Sequence, residues 1–121
     1  MKDCIFCKII NNEINSYTIY EDDIVKVFLD VNPISCGHTL IIPKKHYINL
    51  DDIELDTLNH INSIAKKMHI ILKNKLNIDG MKVVQNNGNL QEVKHYHMHL
   101  IPSYVNKKNL SVEEVYEILK K

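Results

Sequence analysis

The sequence predicts an α+β domain: a mostly antiparallel sheet of about five strands, with one long helix packed on a face. Three observations lead there. Short runs rich in β-branched and aromatic residues alternate with Asp, Asn, Pro and Gly; one stretch only, 56–76, has its apolar residues at helical spacing; and a capping-box signature stands near the end of the chain. With 121 residues the chain fits one domain with one core, 1–121, and is too short for two.

The elements follow in order. Asp3 can cap a short N-terminal helix running through Phe6 to Ile10. Residues 17–21 and 24–29 read as strands, joined at Asp22-Asp23 by a tight hairpin connection. Pro33 and Gly37 break the chain before a third strand, 38–42, which Pro43 ends. From Asp56 the positions Leu58, Ile61, Ile64, Ala65, Met68, Ile71, Leu72 and Leu76 lie on one helical stripe, and residues 77–80 close that helix. Two further strands are expected at 81–85 and 95–101, with a polar Asn86-Asn87-Gly88 loop between them. Ser111 with Glu114 three residues on starts a final helix at about 111–120.

Composition narrows the function classes. The apolar fraction is 45% and the charged fraction 25%, ordinary for a globular protein, and the formal net charge is zero. That balance speaks against a broad electrostatic grip on nucleic acid. All basic residues are lysines, so a phosphate site must use lysine, histidine, hydroxyl or backbone N–H groups rather than a guanidinium fork. No apolar run reaches the roughly 20 residues of a membrane span, and the first residues carry no signal-peptide h-region. Three cysteines, two of them in a C-x-x-C, fit free or metal-bound thiols in the cytoplasm better than a disulfide framework.

The most informative run is His95-Tyr96-His97-Met98-His99-Leu100-Ile101. In a strand, alternate side chains share a face at intervals of about 6.6–7 Å, which would put the three imidazoles on one side and Tyr96, Met98 and Leu100 on the other. Buried imidazoles each need hydrogen-bond partners, so an apolar core strand would not place three in a row by default. A satisfied structural cluster, a catalytic site and an H-x-H metal chelate are the alternatives this spacing leaves open.

The run resembles the defining motif of the histidine triad (HIT) family, in which apolar residues separate three histidines. Other stretches carry the resemblance further. Asn32-Pro33 through Gly37-His38-Thr39-Leu40-Ile41-Ile42-Pro43-Lys44-Lys45-His46 is similar to the family's second signature. Cys4-Ile5-Phe6-Cys7-Lys8-Ile9-Ile10 is similar to its start, and Phe28-Leu29-Asp30-Val31 to its nucleoside pocket. Together these motifs span residues 3–102 and most resemble the Hint-like branch.

The resemblance implies a nucleotide hydrolase or nucleotidyl transferase. It would act on purine nucleoside phosphoramidates or adenylylated conjugates through a nucleotidyl-histidine intermediate, with no catalytic cofactor. His97 would attack the α-phosphorus, an imidazole being largely neutral near pH 7 and a good leaving group from phosphorus. A carbonyl or neighbouring group on its other nitrogen would fix the tautomer. His99 would contact the phosphate and help protonate the leaving group, and His38 would support the triad's orientation. Ile5, Phe6, Ile9, Phe28 and Val31 would enclose the base, and Asp30 would bind the ribose hydroxyls. Asn86, Gln91 and Glu92 would complete the nucleotide site with His97 and His99. A dinucleoside polyphosphate hydrolase, or a nucleotide-binding zinc-stabilised interaction module with little activity, are the alternatives. The family also implies a homodimer through the long helix and one strand.

The chain departs from the family before the triad. Where N-x-G-x-x-A-G-Q-x-V-x-H is usual, this chain reads Asn86-Asn87-Gly88-Asn89-Leu90-Gln91-Glu92-Val93-Lys94-His95, two residues shorter, with Glu92 where a serine or threonine is common. A carboxylate there would repel phosphate unless protonated or turned outward, and Lys94 is the nearest group that could offset it. Lys44-Lys45 reads as a solvated turn. The C-x-x-C alone is half a metal site. Some Hint-like proteins bind zinc through positions that here are Cys4, Cys7, His46 and His95, and four protein ligands would make that zinc structural.

Overall fold

A computed structural model describes residues 3–120 of the chain. The helix α1 (Ile5–Ile10) leads into strands β1 (Thr18–Glu21), β2 (Val25–Leu29) and β3 (Thr39–Pro43). The long helix α2 (Leu55–Leu76) follows, then β4 (Gly80–Val84), a 3-10 turn (Gly88–Leu90), β5 (Met98–Ser103) and α3 (Val112–Leu119). The strands form one sheet in the order β1-β2-β3-β5-β4, antiparallel at every step. The α+β architecture read from the sequence is therefore the observed one.

β2 and β3 are buried along their whole length because both faces of the sheet are covered there. Alternation sorts their side chains. Val25, Val27 and Ile41 face the stripe of α2, meeting Ile61, Ile64 and Met68. Phe28, Leu40 and Ile42 face the other way, against Phe6 and Ile9 of α1. The far end of α2 forms a second core with α3, where Leu72 and Leu76 meet Val115 and Leu119.

Local chemistry explains most of the boundaries. Asp22 Oδ1 accepts from the Ile24 and Val25 amides, each at 2.8 Å, and so shapes the β1–β2 hairpin. Asn77 ends α2 in the left-handed region at φ 54°, and the Ser111–Glu114 capping box is formed in both directions. Gly37 has φ +85°, and a Cβ there would stand 2.7 Å from Leu76 Cδ1, so glycine is required immediately before His38.

Several expectations need correction. α1 is capped by Cys4, whose Sγ accepts from the Cys7 amide at 3.3 Å, not by Asp3. His38 lies just before β3 rather than in it, and Pro43 is the strand's last residue rather than its terminator. β5 begins at Met98, not His95, because its pairing with β3 ends at Ile41↔Met98. Residues 95–97 bend away instead, with the Tyr96 amide donating to the Tyr47 carbonyl at 2.7 Å.

Candidate active site and metal centre

Register decides which way the triad points. Leu40 and His99 are partners across β3 and β5, so His99 projects on the α1 side of the sheet; Met98, opposite Ile41, turns to the α2 core. The alternation continues into the irregular segment, where Tyr96 joins the α2 core and the His95 and His97 rings meet Phe6 edge-on. Triad-ring centroids lie 4.9 Å apart for His97–His99.

Hydrogen bonds assign the tautomers. His97 Nδ1 lies 2.7 Å from the His95 carbonyl oxygen, which can only accept, so Nδ1 carries the proton and the neutral ring keeps its lone pair on Nε2. The Ile34 amide donates to His38 Nδ1 at 3.1 Å, so His38 must carry its proton on Nε2, which lies 3.0 Å from His99 Nδ1. In the neutral pair His99 Nδ1 accepts, and its own proton sits on Nε2. His97 thus keeps a free lone pair on Nε2, and its neighbour His99 keeps an N–H there. Asp30 Oδ2 stands 3.7 Å from His38 Nε2, and Asp30 Oδ1 accepts from the Asn32 amide at 2.8 Å.

Burial keeps these imidazoles neutral. It pushes the His97 pKa down, against the His95 carbonyl and the charges of Asp30 and Glu92. His99 falls to about 4, through burial first and then the neighbouring His97 and His38 rings. Burial also lowers His38, with Asp30 opposing. A neutral imidazole is the form that attacks phosphorus.

His97 and His99 open on a cleft of about 510 Å³, within the range of small-ligand sites. Of the residues expected from the sequence, Ile5, Phe6, Ile9, Phe28, Asp30, Val31, Asn86, Glu92, His38, His97 and His99 all line it. Ile5 and Val31 form its rim, 46% and 64% exposed. Gln91 does not line it: it is buried, donating to the Ile48 carbonyl and accepting from Asn49 and the Gly88 amide. Gln91 thereby ties the shortened loop to residues 48–49. Lys94 turns to the Gly88 carbonyl at 2.6 Å, so it does not offset Glu92 in the cleft. Lys44 and Lys45 pair with Glu21 and Glu54, each at 2.8 Å, as a solvated turn would.

Behind Phe6 lies a second group. The ligand atoms of Cys4, Cys7, His46 and His95 all lie within 4.8 Å of one another. Individual separations are 3.3 Å for Cys4 Sγ–His95 Nδ1 and Cys7 Sγ–His46 Nδ1, 3.6 Å for Cys7 Sγ–His95 Nδ1 and 3.1 Å for His46 Nδ1–His95 Nδ1. Around a tetrahedral zinc with bonds of about 2.0–2.3 Å, neighbouring ligands stand about 3.3–3.8 Å apart. The fit extends outward: His95 Nε2 lies 2.8 Å from the Pro43 carbonyl, so it must be the protonated nitrogen, leaving Nδ1 as a lone pair aimed at the cluster. Burial lowers His95 to about 4, keeping it neutral, and raises the Cys7 thiol to about 11, a shift that a dication would oppose. A second trio, Asp30, His38 and His99, is also close enough for a metal. Its donors fit poorly, since His38 Nε2 is committed as a proton carrier by the Ile34 amide on the opposite nitrogen.

Two features of the site had little signal in the sequence. The Ile34 amide that sets the His38 tautomer is a backbone group, and nothing in its side chain announces it. Lys26, inside the apolar run 24–29, is 3% exposed, and its ammonium donates to the Ile9 carbonyl at 3.0 Å and Asn12 Oδ1 at 3.3 Å. It holds the end of α1, the helix that carries Cys4 and Cys7 at its start and the cleft wall along one face.

Comparison with known proteins places this geometry. The HIT domain family model matches residues 11–106. The chain belongs to the HIT family. This HIT protein is 43% identical to an uncharacterized HIT-like protein of Methanocaldococcus jannaschii, over 97% of this chain and 98% of that one. It is 44% identical to an adenosine 5'-monophosphoramidase of Saccharomyces cerevisiae, over 90% of this chain and 68% of the yeast protein. Among solved structures, it is similar to a zinc-bound histidine triad family protein from Mycobacterium smegmatis, with TM-score 0.91, 28% identity, and 98% and 91% of the two chains covered. No helix of the described residues is long and apolar enough to cross a membrane.

Proposed function

We propose that this HIT protein, as a member of the Hint-like branch, hydrolyses purine nucleoside phosphoramidates or adenylylated conjugates through a nucleotidyl-His97 intermediate. One observation carries the reading: the His95 carbonyl holds the His97 proton on Nδ1, leaving the Nε2 lone pair for phosphorus. The likeness to a yeast adenosine 5'-monophosphoramidase supports the substrate class.

In the first step the Nε2 lone pair forms a bond to the α-phosphorus as the bond from phosphorus to the leaving nitrogen breaks. The departing nitrogen keeps the bonding pair and takes up a proton, exchanged between solvent and His99 at the cleft. Water then attacks the phosphohistidine, the P–Nε2 pair returns to His97, and the proton lost by water leaves by the same route. One proton enters and one leaves, so the cycle closes on neutral rings. Between proton transfers His99 Nε2–H would donate to a phosphoryl oxygen, and His38 would hold the His99 ring in register. The apolar wall from Ile5 to Phe28 would take the base, Asp30 the ribose hydroxyls, and Asn86 the sugar-phosphate side.

Cys4, Cys7, His46 and His95 would hold a structural zinc. With four protein ligands the ion supplies cross-linking rather than an activated water, tying α1 to the sheet behind the nucleophile. A homodimer and a cytoplasmic setting with reduced thiols belong to the same reading. Among the described residues the edge strand β4 pairs on one side only; Val83 on it is 54% exposed, and Ile70 on α2 is 50% exposed.

The test is turnover of adenosine phosphoramidate by wild type and His97→Ala, each before and after chelator treatment. Turnover by wild type only, surviving chelation, is expected. A folded wild type with no turnover refutes the hydrolase; equal turnover by His97→Ala refutes the nucleophile. Activity that disappears with the metal and returns on adding it, without refolding, would make the metal catalytic.

A further inference from the structure

The charges around the cleft are one-sided. Among the described residues its lining contains Asp30 and Glu92 but no lysine, and the chain has no arginine. Asp30 is engaged by the Asn32 amide and stands beside His38. Glu92 is different: its side chain is exposed, it makes no hydrogen bond or ion pair among those described, and its charge is felt at the His97 ring. Lys94, the one cation close by in sequence, is held on the Gly88 carbonyl. The 88–95 segment that carries Glu92 is held by the buried Gln91 contacts to Ile48 and Asn49, so the backbone from which the carboxylate projects at the cleft has a defined position.

We infer that Glu92 is a specificity-determining residue: it selects leaving groups that carry a positive charge beyond the scissile bond and rejects anionic ones. This rests on the phosphoramidase reading, and it assigns Glu92 to the leaving group rather than to the nucleotide. The half-buried Asp30 and the apolar lining of Phe6, Ile9 and Phe28 suit the ribose and base, whereas Glu92 is exposed, so in this proposal the group beside Glu92 is the one departing from the phosphorus towards solvent. A leaving amine with a second ammonium gains an attraction there, and a neutral one gains nothing. A carboxylate or polyphosphate tail meets repulsion with no basic side chain to relieve it, which disfavours dinucleoside polyphosphates. At a half-solvated mouth a single charge pair of this kind changes rate or affinity about fivefold, and salt weakens it because the site is open to solvent.

Three adenosine 5'-phosphoramidates of similar size test this, with leaving amines 1,3-diaminopropane (cationic), butylamine (neutral) and 3-aminopropanoate (anionic). In wild type at low salt, kcat/KM for the cationic compound is expected to exceed that for the neutral one about fivefold, with the anionic one lower by a similar factor. Glu92→Gln should bring both ratios close to one, and Glu92→Lys should reverse them. Comparing ratios between enzymes cancels differences in intrinsic reactivity. Calorimetric binding of the same compounds to His97→Ala supplies the ratios as Kd values, so the inference is tested even if turnover is absent. Ratios in Glu92→Gln equal to those of wild type overturn it, as does a wild type that ranks the three alike. Absent turnover with intact binding ratios overturns the hydrolase alone.

Discussion

Replacing Lys26 by Met tests whether α1 is held at its far end by a buried cation. The ammonium donates to the Ile9 carbonyl at 3.0 Å and to Asn12 Oδ1 at 3.3 Å, on a residue only 3% exposed. Hydrogen bonds from a charged donor contribute about 1.5–3 kcal/mol each, and an acceptor left buried without a donor costs about 1–3 kcal/mol. Against this, an ammonium no longer has to be taken out of water, a relief of several kcal/mol, and methionine keeps most of the stem's packing. The balance is a loss of about 2 kcal/mol, or about 8 °C in Tm for a domain of this size. Function should respond as well, since α1 supplies Ile5, Phe6 and Ile9 to the cleft; KM should rise more than kcat falls. Urea unfolding with saturating zinc, paired with steady-state kinetics, measures both. A Lys26→Met protein within about 0.5 kcal/mol of wild type and with unchanged KM would refute the clamp, because that is the range of an uninvolved surface change.

Three further outcomes follow from the same geometry. Metal analysis should find one zinc per chain in wild type and none in Cys7→Ser; zinc held a thousandfold above its Kd stabilises by about 4 kcal/mol, so wild type alone should show zinc-dependent Tm. Acidification should expose the buried state of His99, whose folded pKa of about 4 lies below the ordinary 6.5. Between those values the unfolded chain binds the extra proton, so this contribution is complete above pH 6.5 and is lost as pH falls towards 4. Discounted for partial exposure it amounts to about 1–2 kcal/mol, and denaturation of His99→Gln should show a correspondingly shallower pH slope; an identical slope contradicts the neutral assignment. Val83→Lys should convert a dimer to a monomer in light scattering, and a monomeric wild type would dismiss the β4 edge as an interface.

The sequence alone was enough for the architecture, because periodicity and turn chemistry are local. The stripe from Leu58 to Leu76 determines a helix whatever surrounds it, and the Ser111–Glu114 box forms within four residues. The triad's alternation was legible too, since Tyr96, Met98 and Leu100 could only go to the core. What could not be read was where the strand begins: pairing with β3 ends at Ile41↔Met98 although β3 runs on to Pro43, and the Tyr96 amide goes to the Tyr47 carbonyl instead, a fact about another segment. The Asp3 cap failed for a similar reason: the Cys4 thiol, which also meets His95 from far along the chain, takes the Cys7 amide instead. Tertiary structure alone decided the chemistry of each imidazole. The His95 carbonyl, the Ile34 amide and the Pro43 carbonyl choose which nitrogen keeps its lone pair on His97, His38 and His95. Backbone groups carry no side-chain signature, and they meet these rings only after the chain has folded. Seven histidines are therefore visible in the sequence, but which nitrogen of His97, His38 and His95 keeps its lone pair is settled by packing.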